Sequence, residues 1–301
     1  MVRLIKKIVK YIVCMLKTII SLLRIIRHSK SVKLPLNQNK KILILGNGPS
    51  MKNQLEKHLE FFLNQDVLGV NSMAKTQYYK MIKPKHYMLW DPVGCVVPKE
   101  KLSEEYAMIQ ETQIEALVSN TEWEMNLFLP YQSKTNEDIT KRLKSNKNIN
   151  IVYLNNIEFE GIHKLKYFCW KKCLAGPSAV NILIMALYLA INLKYKEIYL
   201  FGAEHTWFKN LEVSDENILY LEDEHYYDKQ GESVKRVLYG SENGDYGKEY
   251  QKMPNLFWLY FLGFREYHKI QEYSKIMGAN IYNATPKSFI DAFLKVKLFK
   301  E

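Results

Sequence analysis

A chain of 301 residues with 47% hydrophobic content can bury one large core or two small ones, which excludes a disordered or fibrous protein. Its formal charge of +11 suggests a nucleic-acid binder until it is counted along the chain. Residues 1–55 carry 12 Lys/Arg and no acid, and the remainder carries 31 basic against 32 acidic residues, so the body is near neutral and nucleic acid is not an expected partner.

Residues 1–28 are apolar between their charges, and Arg3, Lys10, Lys17 and Arg24 recur every seven residues, along one side of a helix. The uncharged runs 11–16 and 18–23 fall far short of the ~20 apolar residues a spanning helix needs. The segment is expected to lie in the membrane interface with its cations toward anionic headgroups, holding the protein peripherally at the cytoplasmic face of the inner or plasma membrane. No small-residue cleavage site follows, which disfavours a signal sequence. Cys14, Cys95, Cys169 and Cys173 form no C-x-x-C pair and read as reduced thiols.

Residues 29–40, with Pro35, read as a linker, and 41–301 as the main domain. Its predicted strands are Ile42–Leu45, Val67–Val70, His86–Trp90, Ala116–Ser119, Ile149–Leu154, Glu197–Phe201 and Asn280–Tyr282. Helices are predicted at 51–63, 72–81, 100–110, 135–145, 177–193, 255–277 and 286–296. The alternation argues for an α/β, Rossmann-like fold, a mostly parallel sheet with helices on both faces. Residues 203–254 are polar and weakly periodic, and they follow the strand KEIYLFG at the carboxyl end of such a sheet, the place of a lid or substrate loop.

The first predicted strand runs into Gly46-Asn47-Gly48-Pro49-Ser50 and then a helix, a turn that aims backbone N–H groups at an anion such as a phosphate. It is not a dinucleotide fingerprint, since Met51 occupies the third glycine position, and no Gly-Lys-Ser/Thr of a Walker loop follows. Polar residues at other strand ends, Asn71, Asp91, Glu204 and His205, would converge on the same crevice, although Asn71 and Asp91 also suit turns and caps. Gly176-Pro177-Ser178 before an apolar helix offers either a second anchor or a cap. His205, beside Glu204, is the sharpest candidate for proton transfer, and His225 in EDEHYYD is its rival. Tyr226 and Tyr227 could donate to phosphate oxygens, with Lys171 or Lys172 assisting the leaving group. The nearest approach to an Asp-x-Asp motif is Glu222-Asp223-Glu224, with no predicted strand to aim it, so chemistry without a metal or other cofactor is expected.

GNGPS after the first strand, Asn71, Asp91-Pro92, Gly176–Ser178, YKEIYLFGAE (195–204) and NIYNATPKSFIDAF (280–293) together resemble the bacterial lipooligosaccharide sialyltransferases. The resemblance implies a single nucleotide-binding domain with a lid, a CMP-sialic acid donor, inversion at the anomeric carbon and a histidine base. Carried over by position, Gly46, Asn47, Gly48, Asn71, Asp91 and Ser178 would bind the donor. Asp91 stands where that family carries Asn, and no histidine lies between Tyr239 and Tyr267, where its base is found, so the base would be His205 or His225. The expected protein is a glycosyltransferase of surface-polysaccharide or O-antigen assembly, acting on a lipid-linked glycan and with room for homo-oligomers. A similar Gly-x-Gly-Pro-Ser turn occurs in proteins resembling 6-hydroxymethylpterin diphosphokinase, which keeps pyrophosphoryl transfer open, as well as a scaffold without activity.

Overall fold

The computed structural model describes residues 2–223, 225–226, 234–240 and 249–299. In chain order its elements are α1 (Val2–His28), β1 (Lys41–Leu45), α2 (Ser50–Phe62), β2 (Val67–Val70), α3 (Gln77–Ile82), β3 (His86–Met88), α4 (Pro92–Cys95) and α5 (Glu104–Asn120). They continue with β4 (Met125–Pro130), α6 (Glu137–Ser145), β5 (Ile149–Leu154), α7 (His163–Lys171), α8 (Ile182–Asn192), β6 (Glu197–Phe201), β7 (Leu211–Val213) and β8 (Leu219–Asp223). The remaining elements are β9 (Val234–Val237), β10 (Tyr239–Gly240), β11 (Glu249–Tyr250), α9 (Met253–Met277), β12 (Asn280–Asn283) and β13 (Leu294–Lys295).

Eight strands form one parallel sheet in the order β13-β12-β6-β1-β2-β3-β4-β5. The chain builds outward from β1 to β5 and then returns to the other side of β1 as β6. The fold is therefore Rossmann-like, and its topological switch point lies between β1 and β6, where open α/β sheets leave a crevice at the carboxyl ends. Helices cover both faces, so β1 reads as an unbroken apolar run. Ile42 and Ile44 pack with Ile198, Leu200 and α8 on one side, and Leu43 and Leu45 pack with Met51, Leu55 and Phe62 of α2 on the other. From Leu183 to Asn192 every residue of α8 is buried, as expected of a helix apolar on all sides.

Several expectations are corrected. Ala116–Ser119 is the last part of α5, not a strand, and residues 286–296 form turns and β13, not a helix. β4 and α7 were not anticipated. Within 203–254 the structure places a three-stranded antiparallel sheet, β7-β8-β9, and the pair β10-β11. Glu222 and Asp223 thus lie on a strand, and Glu224 lies outside the described residues.

Helix α1 docks by hydroxyls. Ser21 Oγ accepts from Glu160 N at 3.0 Å and donates to Glu160 O at 2.9 Å, Thr18 Oγ1 accepts from Ile162 N at 2.9 Å, and Lys17 Nζ donates to Glu160 Oε2 at 2.7 Å. Leu22 and Ile25 pack beside them. The segment after the helix is clamped by Asn155, which bonds both N–H and C=O of Lys30 at 2.9 and 2.7 Å. Ile5, Ile8, Ile12, Leu16, Ile19, Leu23 and Ile26 are left exposed on the outer side. No helix among the described residues is long and apolar enough to cross a membrane.

Candidate active site

The turn after β1 and the turn after β6 are stitched together. Gly46 N donates to Phe201 O and Gly48 N to Gly202 O, each at 2.9 Å, and Ser50 N donates to Glu204 Oε1 at 2.8 Å. A Cβ at Gly46 would stand 2.4 Å from Gly202 O, and one at Gly48 would stand 1.7 Å from Glu204 Oε2, so this approach requires both glycines. The consequence alters the sequence reading of an open phosphate cradle. The first-turn N–H of α2 at Ser50 already has a partner, the Glu204 carboxyl, which occupies the position an anion would take at the helix N-terminus.

Above this floor lies a cavity of about 140 Å³ lined by Gly46, Asn47, Gly48, Pro49, Asn71, Glu204, His205 and His225, among others. Its polar walls are distinctive. Among the described residues, Asn47 Oδ1 and Asn71 Oδ1 are buried with no hydrogen-bond partner. Native proteins satisfy almost all such atoms, so each is open to a donor from outside the chain, an ordered water or a ligand group. Asn71 is in the left-handed region at φ +50°, a conformation its short amide side chain tolerates, and its carbonyl accepts a hydrogen bond from Tyr87 Oη at 2.5 Å. At this volume the cavity admits a ring-sized part of a nucleotide sugar, since sites that enclose a ligand of that class run to ~300 Å³ or more.

His205 forms the opposite wall. Its Nε2 lies 2.6 Å from Tyr267 Oη, which donates to Asn181 Oδ1 at 3.3 Å, and that same oxygen accepts from Leu183 N at 2.8 Å. With the tyrosine proton directed at Asn181, His205 donates from Nε2 and its Nδ1 lone pair is the acceptor. Trp207 stacks on the ring with centroids 4.2 Å apart. Burial lowers the His205 pKa to about 3, so the imidazole is neutral at physiological pH.

The structure separates the other sequence candidates. Asp91 caps α4, accepting from Val93 N at 2.9 Å, and is not part of the cavity lining. It follows β3, two strands from β1, a displacement of roughly 10 Å. Asp91 is solvent-accessible, yet the protein crowded around its carboxyl raises its pKa above the usual carboxylate range. Ser178 does not begin a helix. Its N–H donates to the wholly buried Glu266 at 3.4 Å, which also holds Arg265 at 3.1 Å and Lys269 at 2.5 Å. Gly176 N donates to Ile157 O at 2.9 Å, away from the cavity. Ser50 stands beside the site with its Oγ buried and without a partner among the described residues. Tyr226 is buried, with its N–H donating to Asn47 O at 3.2 Å, and Tyr227 lies outside the described residues.

Asn181 is the residue the sequence reading missed. An Asn immediately before ILIMALYLAIN carries an N-cap signal, and it was masked by the Pro177-Ser178 pair four residues upstream. Trp207 and Tyr267 gave no sequence signal, because each is an aromatic in an aromatic-rich segment. Among the described residues no three His, Cys, Asp or Glu side chains are grouped as metal ligands.

No protein-family model and no curated protein sequence matches the chain. Among solved structures it is similar to one described as a MAf glycosyltransferase from Magnetospirillum magneticum AMB-1, with a TM-score of 0.46 and 12% identity over 90% of this chain and 35% of that one. The chain thus spans about a third of that protein's length. A likeness of this degree bears on neither substrate nor reaction.

Proposed function

We propose that this chain is a nucleotide-sugar-dependent glycosyltransferase working at a membrane surface, with sialyl transfer from CMP-sialic acid to a lipid-linked glycan as the specific reading. The observation that carries it is the pairing, in one switch-point cavity, of two asparagine side-chain oxygens that have no partner among the described residues with a neutral, oriented histidine. The amides offer hydrogen bonds to the uncharged parts of a donor, its base or hydroxyls. In the reaction the acceptor oxygen bonds to the anomeric carbon, the bond from that carbon to the phosphate oxygen breaks, and the acceptor proton passes to His205 Nδ1. A departing nucleotide phosphate adds negative charge beside the ring, which raises its proton affinity as the transfer proceeds. His225, on the lid side of the cavity, is the second candidate base. The reading runs the reaction without a metal, and turnover that persists in EDTA supports it.

The membrane part rests on α1, whose hydroxyls face the protein and whose aliphatic side chains face outward, the reverse of a helix shaped for water. Pyrophosphoryl transfer is the less favoured reading. Its metal would need Asp91 and Glu204 together, but each caps a different helix, and their strands are separated by β1 and β2.

The decisive experiment is a thermal-shift panel of CMP, UDP, GDP and ATP followed by sugar release from CMP-sialic acid with and without lipid-linked glycan. CMP is expected to raise the Tm most, because a ligand stabilises the native state in proportion to affinity and concentration. A chain that binds no CMP and releases no sugar is not a sialyltransferase.

A further inference from the structure

The first three turns of α9 carry no charge, and their one side-chain amide is Asn255. Between Lys252 and Arg265 no residue is charged, a run of 12. Leu256, Tyr260 and Tyr267 face the body along one side, while Phe257, Trp258 and Phe261 follow helical spacing on the other. These three are 51%, 58% and 52% exposed, and Trp258 stacks on Phe261 with centroids 5.2 Å apart. Beyond Arg265 the outward positions become polar, with His268 and Glu272. Such a helix belongs either in a core or in a membrane interface, and its outer face is not in the core.

We infer that the first three turns of α9 insert into an anionic lipid surface and form a second membrane contact that holds the mouth of the cavity at the bilayer. Three observations favour lipid over a protein partner. The run contains no acid and begins just after the exposed Lys252, which suits anionic headgroups. It is too short to span but matches an interfacial segment in length, and tryptophan and phenylalanine are the side chains that populate that depth. The same membrane is already implied by α1, whose docking segment at Glu160 lies within electrostatic reach of Arg265 and Lys269 of α9. A continuous set of rings then leads from the surface to the site. Phe257 packs edge-on against Tyr260 with centroids 6.0 Å apart, Tyr260 stacks on Trp207 at 5.8 Å, and Trp207 stacks on His205. A lipid-borne acceptor would thus meet the catalytic side of the cavity without leaving the interface.

The inference rests on the membrane half of the proposed function and not on its donor. The full chain is mixed with phosphatidylglycerol/phosphatidylcholine vesicles containing brominated acyl chains, and tryptophan fluorescence is compared between the natural protein and Trp258→Phe. A large quench is expected in the first and a several-fold smaller one in the second, which keeps the helix apolar and the fold intact. Phe257→Ser/Phe261→Ser is expected to lower vesicle binding at least fivefold while leaving nucleotide thermal shifts unchanged. Equal quenching in both proteins, with the chain recovered on vesicles, would mean that α1 alone binds lipid and would overturn the inference. So would a dimer in sedimentation equilibrium that Phe261→Ser dissociates. Loss of CMP binding in every protein would sink the donor assignment and leave this result standing.

Discussion

His205 is the residue where conformation and chemistry are most tightly joined. It sits in the left-handed region at φ +55°, which Gly, Asn, Asp and His enter more readily than other residues do. His205→Asn therefore suits the backbone while removing the imidazole, and it is expected to fold, to retain nucleotide thermal shifts and to lose transfer by about 100-fold or more. Tyr267→Phe deletes the hydroxyl between His205 and Asn181, and it should cost about 1 kcal/mol in urea unfolding together with a lower kcat. A pH dependence follows as well. The folded pKa of His205 is about 3 and that of buried His86 about 4, both depressed by burial from the ordinary 6.5, so between those limits the unfolded chain binds more protons than the folded one. Stability is fully present above pH 6.5 and is lost progressively as the pH falls toward 3. Chemical denaturation of His205→Asn across that range should show a shallower decline than the natural protein.

At the scale of elements, the β1 and β6 turns act as one unit because Glu204 caps α2. Gly48→Ala would drive a methyl group into that carboxylate, and a loss of about 2 kcal/mol or more is expected by equilibrium unfolding. Helix α1 predicts a split result. Ile19→Asp with Leu23→Asp, on its outer side, should leave unfolding within about 0.5 kcal/mol of the natural protein while abolishing recovery on anionic vesicles. How well each element could be read depended on local chemistry. The Gly46–Ser50 turn was legible because a strand running through glycines into a helix has few other meanings. Ala116-Leu117-Val118-Ser119 was not, since four apolar or small residues fit a buried strand as readily as the end of α5, whose Gln110 and Gln113 are buried and blur its pattern. Residues 286–290 read as a helix start, but they are spoken for elsewhere. Ser288 Oγ accepts from Asn283 Nδ2 at 3.0 Å and donates to Ala203 O at 2.6 Å, the latter a long-range bond that no local signal announces.

Across the whole molecule the parallel α/β plan was visible in the alternation of elements, whereas the membership of the site was not. Strand ends share one side of a sheet, but only neighbours of the switch point share a cavity, and strand order is set by packing that sequence spacing does not record. Asp91, just past the end of β3, fell on the right side of the sheet and outside the cavity for that reason. The same strand order has a consequence for biosynthesis. β1 is central, yet its partner β6 is made some 150 residues later, so the middle of the sheet keeps an open edge for roughly 10–30 s at ribosomal speeds. Glu160 and Ile162, which receive α1, also follow it by about 130 residues. The helix therefore leaves the ribosome with nothing of its own chain to rest on, and a nearby membrane can take up its aliphatic side before the body exists to compete for it.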